Sequence, residues 1–95
     1  MRTRRFDSVW DAIEQSPAAA ASLKLRAELT HVILVEIDRR KLTQTCAAAA
    51  ANVSQPRMSD LMRGRIDLFS LDALIDIAAR LGLGTRMTFK RRRVA

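Results

Sequence analysis

The chain has 95 residues and a formal net charge of +7, with 17 Lys and Arg against 10 Asp and Glu, which is enough for one small domain and too short for two. With 48% hydrophobic and 28% charged residues, the composition predicts a folded globular chain and excludes both wholesale disorder and a membrane-spanning segment. A chain this short has little room for a deep catalytic cleft, so an elaborate enzyme is disfavoured.

Residues 1–15 are interpreted as an N-terminal extension of the single domain. Three Arg and three acidic residues cancel within it. The acidic, mixed stretch DSVWDAIEQ stands where a signal peptide needs an apolar core, so we expect a cytoplasmic location and no membrane anchor. A short helix around residues 8–14 would carry Trp10 and Ile13.

A long helix is predicted from about Pro17 to Arg40, because Ser16 can cap it and Pro17 needs no donor in the first turn. Its buried stripe recurs at three- and four-residue spacing and consists of Leu29, Ile33, Leu34 and Ile37. Val32 and Val35 lie off this stripe, which indicates a second apolar face. The N-terminal helix or a partner protein would cover that face, and the sequence does not choose between them.

Three shorter helices follow the long one. They are predicted over residues 44–51, 55–63 and 71–81, with Thr43, Ser54 and Ser70 as their N-caps. Asn52 tolerates a left-handed backbone between the first two, while Gly64 and Gly82 end the second and the third.

The C-terminal segment 85–90 alternates polar and apolar residues, with Met87 and Phe89 on one face, and this pattern predicts one short β-strand. A lone strand cannot satisfy its own backbone, so we expect it to pair with the same strand of a second copy in a homodimer. Residues 91–95 form a basic tail, interpreted either as a solvated end or as a source of general phosphate attraction.

Residues 42–64 hold two short helices joined by a tight turn, which predicts a helix-turn-helix. Two helices cross closely only where one presents small side chains, and the alanine run supplies them at positions 47, 48 and 51. The same run is also explained by helix propensity alone. Val53, Met58 and Leu61 would close the core between the two helices.

The second of these helices keeps polar side chains for its outer face, namely Gln55, Arg57, Ser59, Asp60 and Arg63. These residue types read base edges in the major groove: Gln pairs with adenine, Arg with guanine, and Asp accepts from cytosine. A plain surface charge ladder at three-residue spacing is the alternative. Residues 42–69 carry three basic and two acidic residues, so this surface is nearly balanced in charge.

As a set, the segments LTQ, NVSQPRMSDLMRG and FSLDALIDIAARLG within residues 42–83 resemble the lambda-repressor-like family of regulators, also called the xenobiotic-response-element type. The N-terminal extension, the FSLDAL segment and the C-terminal strand resemble its small HigA-type antitoxins, which repress their own operon. The resemblance implies an all-α fold of four to five helices with a short C-terminal strand. It also implies a dimer bound to a palindromic operator on double-stranded DNA, and a toxin protein as a further partner.

Carried over by position, the resemblance implies a DNA-binding surface. Its base-reading residues would be Gln55, Pro56, Arg57, Ser59 and Asp60, and its backbone-contacting residues Gln44, Arg63 and Arg65. Pro56 has no donor, so it would contact a base through apolar atoms such as a thymine methyl group.

The predicted function is therefore a sequence-specific regulator of transcription, of repressor or antitoxin type, without metal or cofactor. The alternative is a toxin-neutralising interaction module in which DNA binding is secondary or lost, and RNA binding ranks last because an aromatic stacking platform is missing. Cys46 and His31 are single residues without matching ligands. No nucleophile with a base and no Gly-rich phosphate loop is found, so we expect no enzyme.

Overall fold

Helix α1 covers Pro17–Arg39 in the computed structural model, which describes residues 16–91. The Ser16 hydroxyl accepts a hydrogen bond from the Ala19 N–H at 3.1 Å, as expected of an N-cap. Ile33 and Ile37 are buried in the core, so the predicted helix and its stripe are confirmed. The predicted helix over 8–14 lies outside the described residues.

Three further α-helices follow, each capped at its N-terminus by the predicted side chain. They are α2 at Gln44–Ala51, α3 at Gln55–Met62 and α4 at Leu71–Arg80, with a short 3₁₀ helix at Ile66–Leu68 between the last two. The hydroxyls of Thr43, Ser54 and Ser70 each accept a backbone N–H bond at 3.1 to 3.2 Å. The cap residues therefore predicted every start, and α3 and α4 end one residue before the predicted position.

The four α-helices that the structure describes end in the same way. The first or second residue after the helix takes a left-handed backbone, and two hydrogen bonds return to the last-turn carbonyls in the Schellman pattern. The left-handed residues are Lys41, Asn52, Gly64 and Gly82, with φ between 56° and 85°. Asn52, Gly64 and Gly82 were expected from the sequence, whereas Lys41 was not.

One apolar core joins the helices of the described region. It is built from Ile33, Ile37, Ala47, Ala48, Ala51, Met58, Leu61, Phe69, Leu74, Ile77, Ala78 and Leu81. α4 packs on α1, while α2 packs on α3 and also touches α4. This arrangement holds α3 at one edge of the molecule, where its outer face meets solvent.

The ends of α1 and α4 are joined by basic side chains. Arg40 donates a hydrogen bond to the Leu81 carbonyl at the end of α4. Arg39 and Arg40 also both donate to the carboxylate of Glu36, and these bonds lower the pKa of Glu36 to about 2. Two of the three basic residues at 39–41, Arg39 and Arg40, therefore make contacts within the fold.

Residues 83–91 follow α4 without a helix or strand, so the predicted strand over 85–90 is not formed within the part of the chain that the structure describes. A strand needs the backbone ladder of a neighbour, and residues 16–91 offer none. Met87 is 56% and Phe89 89% exposed, so neither is held by the core. Among the described helices, none has the length and apolar character needed to cross a membrane.

Candidate nucleic-acid interface

Helices α2 and α3 cross closely because small side chains meet large ones between them. Ala47 and Ala51 of α2 are fully buried, as are Met58 and Leu61 on the inner face of α3. Ala49 and Ala50 remain exposed on the same alanine run. The buried positions are those that the sequence assigned to the helix crossing, which supports that interpretation.

The start of α3 is exposed to solvent. Gln55 and Pro56 are exposed directly after the Ser54 cap. Gln44, at the start of α2, is half-buried and donates from Nε2 to the Gln55 carbonyl at 3.4 Å. This hydrogen bond links the first turns of the two helices at the backbone of Gln55.

Arg57 is turned back onto its own chain rather than outward from α3. Its guanidinium carbon lies 4.1 Å from the centroid of the Phe69 ring, a cation–π contact. Nη1 also donates to the Leu68 carbonyl at 3.1 Å. Base reading by Arg57, predicted from its residue type, therefore requires these two contacts to be exchanged for contacts to a base.

Ser59 and Asp60 are half-buried on the same helix. Asp60 accepts a hydrogen bond from Arg63 Nη2 at 3.1 Å, and the Arg63 side chain stays 64% exposed. An exposed pair of this kind stabilises a helix by only a few tenths of a kcal/mol. The surface charge ladder, the alternative to base reading, is thus limited to the pair of Asp60 and Arg63 and does not include Arg57.

The segment after α3 is held by two arginines from different parts of the chain. Besides Arg57, Arg26 of α1 donates from Nη1 to the carbonyls of Ile66 and Phe69 at 3.3 and 3.4 Å. Arg65 lies beside this segment, with its Nε 3.9 Å from an Asp67 carboxylate oxygen. This role of Arg26 was not predicted, because its partners are 40 and 43 residues away along the chain.

The predicted contact residues lie on α3 or next to it, and the Arg57 side chain is turned toward the segment after the helix. Base-reading candidates lie along α3, Gln44 adjoins its start, and Arg63 and Arg65 follow its end. Within residues 16–91 no cluster of His, Cys, Asp and Glu is close enough to hold a metal ion. Two short capped helices that cross at small residues and expose a polar helix face define a helix-turn-helix.

Comparison with known proteins agrees with this geometry. A family profile described as "Helix-turn-helix domain" matches residues 12–90, and the chain belongs to that family. A solved structure described as an XRE family transcriptional regulator aligns with a TM-score of 0.73 and 25% sequence identity, over 80% of this chain and 89% of that chain. No curated protein matches the sequence. The fold is XRE-like, and the HigA-type subgroup stays a prediction.

Proposed function

We propose that this protein is a transcription regulator that binds duplex DNA as a homodimer and reads the major groove with α3. The observation that carries the proposal is the two-sidedness of α3, which buries Met58 and Leu61 and exposes Gln55 and Pro56 at its first turn. In helix-turn-helix proteins the N-terminal residues of the second helix contact base edges. The family and the XRE-like fold support DNA binding.

In this proposal residues of α3 read the bases, and residues beside its two ends contact phosphates. The base-reading set remains Gln55, Pro56, Arg57, Ser59 and Asp60, and the phosphate-contacting set Gln44, Arg63 and Arg65. Gln55 is free to pair with an adenine, whereas Arg57 has internal contacts to replace first. We therefore expect Gln55 to contribute more to base discrimination than Arg57.

A homodimer on a palindromic operator would place two copies of α3 about 34 Å apart, one turn of DNA. In this part of the proposal the dimer contact is assigned to the segment 85–90, which has no strand in the single chain and leaves Phe89 exposed. Pairing of this segment between two copies would satisfy the backbone and cover Phe89. Repression follows if the operator overlaps a promoter.

A second candidate function is binding and neutralisation of a toxin protein. It is favoured by the apolar face of α1, where Val32 is 47% and Val35 52% exposed. Exposed apolar patches mark protein interfaces when they are contiguous. The exposed residues of α3 are of the types that contact DNA bases, whereas the exposed valines of α1 do not indicate a particular partner. DNA binding therefore remains the primary proposal.

Two substitutions test the primary proposal. Gln55→Ala is expected to weaken binding to a preferred sequence by about 1–3 kcal/mol and binding to random DNA far less, because only a base contact is lost. Arg65→Ala is expected to weaken both alike. Lys24→Ala, at an exposed position of α1, controls for the loss of one charge. A loss for Gln55→Ala that is as large on random DNA as on the preferred sequence would contradict the proposal.

A further inference from the structure

A groove of about 430 Å³ lies between α1, α4 and the segment that follows α4. Leu25, Leu29 and Val32 of α1 form one wall, Ile75 of α4 lies opposite, and Met87 closes one side. Leu25, Val32 and Met87 are 39%, 47% and 56% exposed. Because apolar surface left in water is unfavourable, such a groove favours an occupant that covers it.

We propose that the occupant is the N-terminal extension of the same chain, with the side chains of Phe6, Trp10 and Ile13 seated in the groove. These three residues are spaced by four and three, which places them on one stripe of a helix. The acidic residues of the extension fall outside the stripe. The extension is thus amphipathic at helical spacing, and its apolar stripe matches the apolar walls in chemistry.

The length of the chain allows this docking. α1 begins at Pro17, and Leu25 lies about 12 Å further along it at 1.5 Å per residue. With Trp10 to Glu14 helical, this stretch spans about 6 Å, and an extended connection from Glu14 to Pro17 adds up to about 10 Å. Trp10 therefore reaches the level of Leu25 without strain if the extension turns back along α1.

Tethering favours the extension over a separate molecule, and charge does not oppose it. A covalently attached segment does not lose the translational freedom that a second copy or a partner protein loses on binding. The groove is bordered by Glu28 and Arg86, one charge of each sign. The extension carries three basic and three acidic residues, so it meets no net repulsion there.

The experiment uses the fluorescence of the full-length protein, because Trp10 is its single tryptophan. In native protein we expect emission at shorter wavelength than in urea and several-fold weaker quenching by acrylamide. Val32→Asp is expected to shift the emission to the red and restore quenching to the urea value. Val35→Asp is the matched control, since Val35 is equally exposed on α1 but does not border the groove. Circular dichroism confirms that each variant is folded.

Met87→Ser gives a second groove variant in case Val32→Asp unfolds the chain, and we expect it to increase quenching as well. Native emission and quenching equal to those in urea would overturn the proposal, as would equal effects of Val32→Asp and Val35→Asp. Protection of Trp10 that is lost on dilution together with dimer dissociation would identify a second copy as the occupant and would also overturn it. None of these outcomes depends on DNA binding.

Discussion

Arg57 illustrates at the scale of one residue why residue type alone is a weak guide to contact. On sequence it is an arginine on the outer face of a reading helix, the type that pairs with guanine. In the structure its guanidinium lies over Phe69 and donates to the Leu68 carbonyl. The side chain thereby fastens α3 to the segment that carries Arg65.

Arg57→Met tests this structural role without DNA. We expect the free energy of unfolding to fall by about 1 kcal/mol, since a cation–π contact and one charged hydrogen bond are lost while the apolar stem is kept. Urea unfolding followed by circular dichroism measures the change. Arg63→Met is the control, because its exposed pair with Asp60 should contribute no more than about 0.5 kcal/mol. A loss for Arg57→Met no larger than for the control would contradict the assignment.

At the scale of elements, the starts and ends of the helices were predictable because capping is local chemistry. Ser16, Thr43, Ser54 and Ser70 each accept the expected backbone hydrogen bond. Lys41 was missed at the end of α1, since lysine carries no left-handed preference and takes φ 56° only because the Schellman bonds require it. The strand predicted over 85–90 is not formed. Alternation of polar and apolar residues indicates that a segment suits a strand, but it does not show whether a second strand is available to pair with it.

The crossing of α2 and α3 leads to a prediction about the alanine run. Ala47→Leu is expected to lower the free energy of unfolding by about 1–3 kcal/mol, because Ala47 is fully buried and a larger side chain overpacks the crossing. Ala50→Leu should change it by less than about 0.5 kcal/mol, since Ala50 is exposed and leucine is nearly as good a helix former. Thermal unfolding of both variants measures the two changes in stability. Similar losses for the two would show that helix propensity, not the crossing, selects alanine here.

At the scale of the whole molecule, the predicted contact residues lie on α3 or close to it because α2 and α3 are adjacent in sequence and pack together. The tether from Arg26 to the segment after α3 was beyond sequence reasoning, since it joins residues 40 and 43 positions apart through backbone carbonyls of no particular residue type. The net charge of +7 is also distributed unevenly, and residues 42–69 contribute only three basic residues against two acidic.

The basic run from Lys90 to Arg93 should therefore supply a large part of the general attraction to phosphate. Replacing all four residues with serine in both copies of the dimer is expected to reduce the slope of log K against log salt by up to about 7, at about 0.9 per phosphate contact. The preferred DNA sequence should not change. Binding titrations from low to physiological salt provide the measurement. An unchanged slope would show that the run is only a solvated end.

Selection of bound sequences from a random pool of duplex DNA tests most directly whether the α3 surface reads a sequence. A homodimer that reads the major groove should enrich a palindrome whose half-sites are centred about 10–10.5 base pairs apart, or a multiple of that spacing. Gln55→Ala should relax the preference at one position in each half-site. Recovery of DNA with no enriched sequence, from protein that is folded by circular dichroism, would contradict the proposed function.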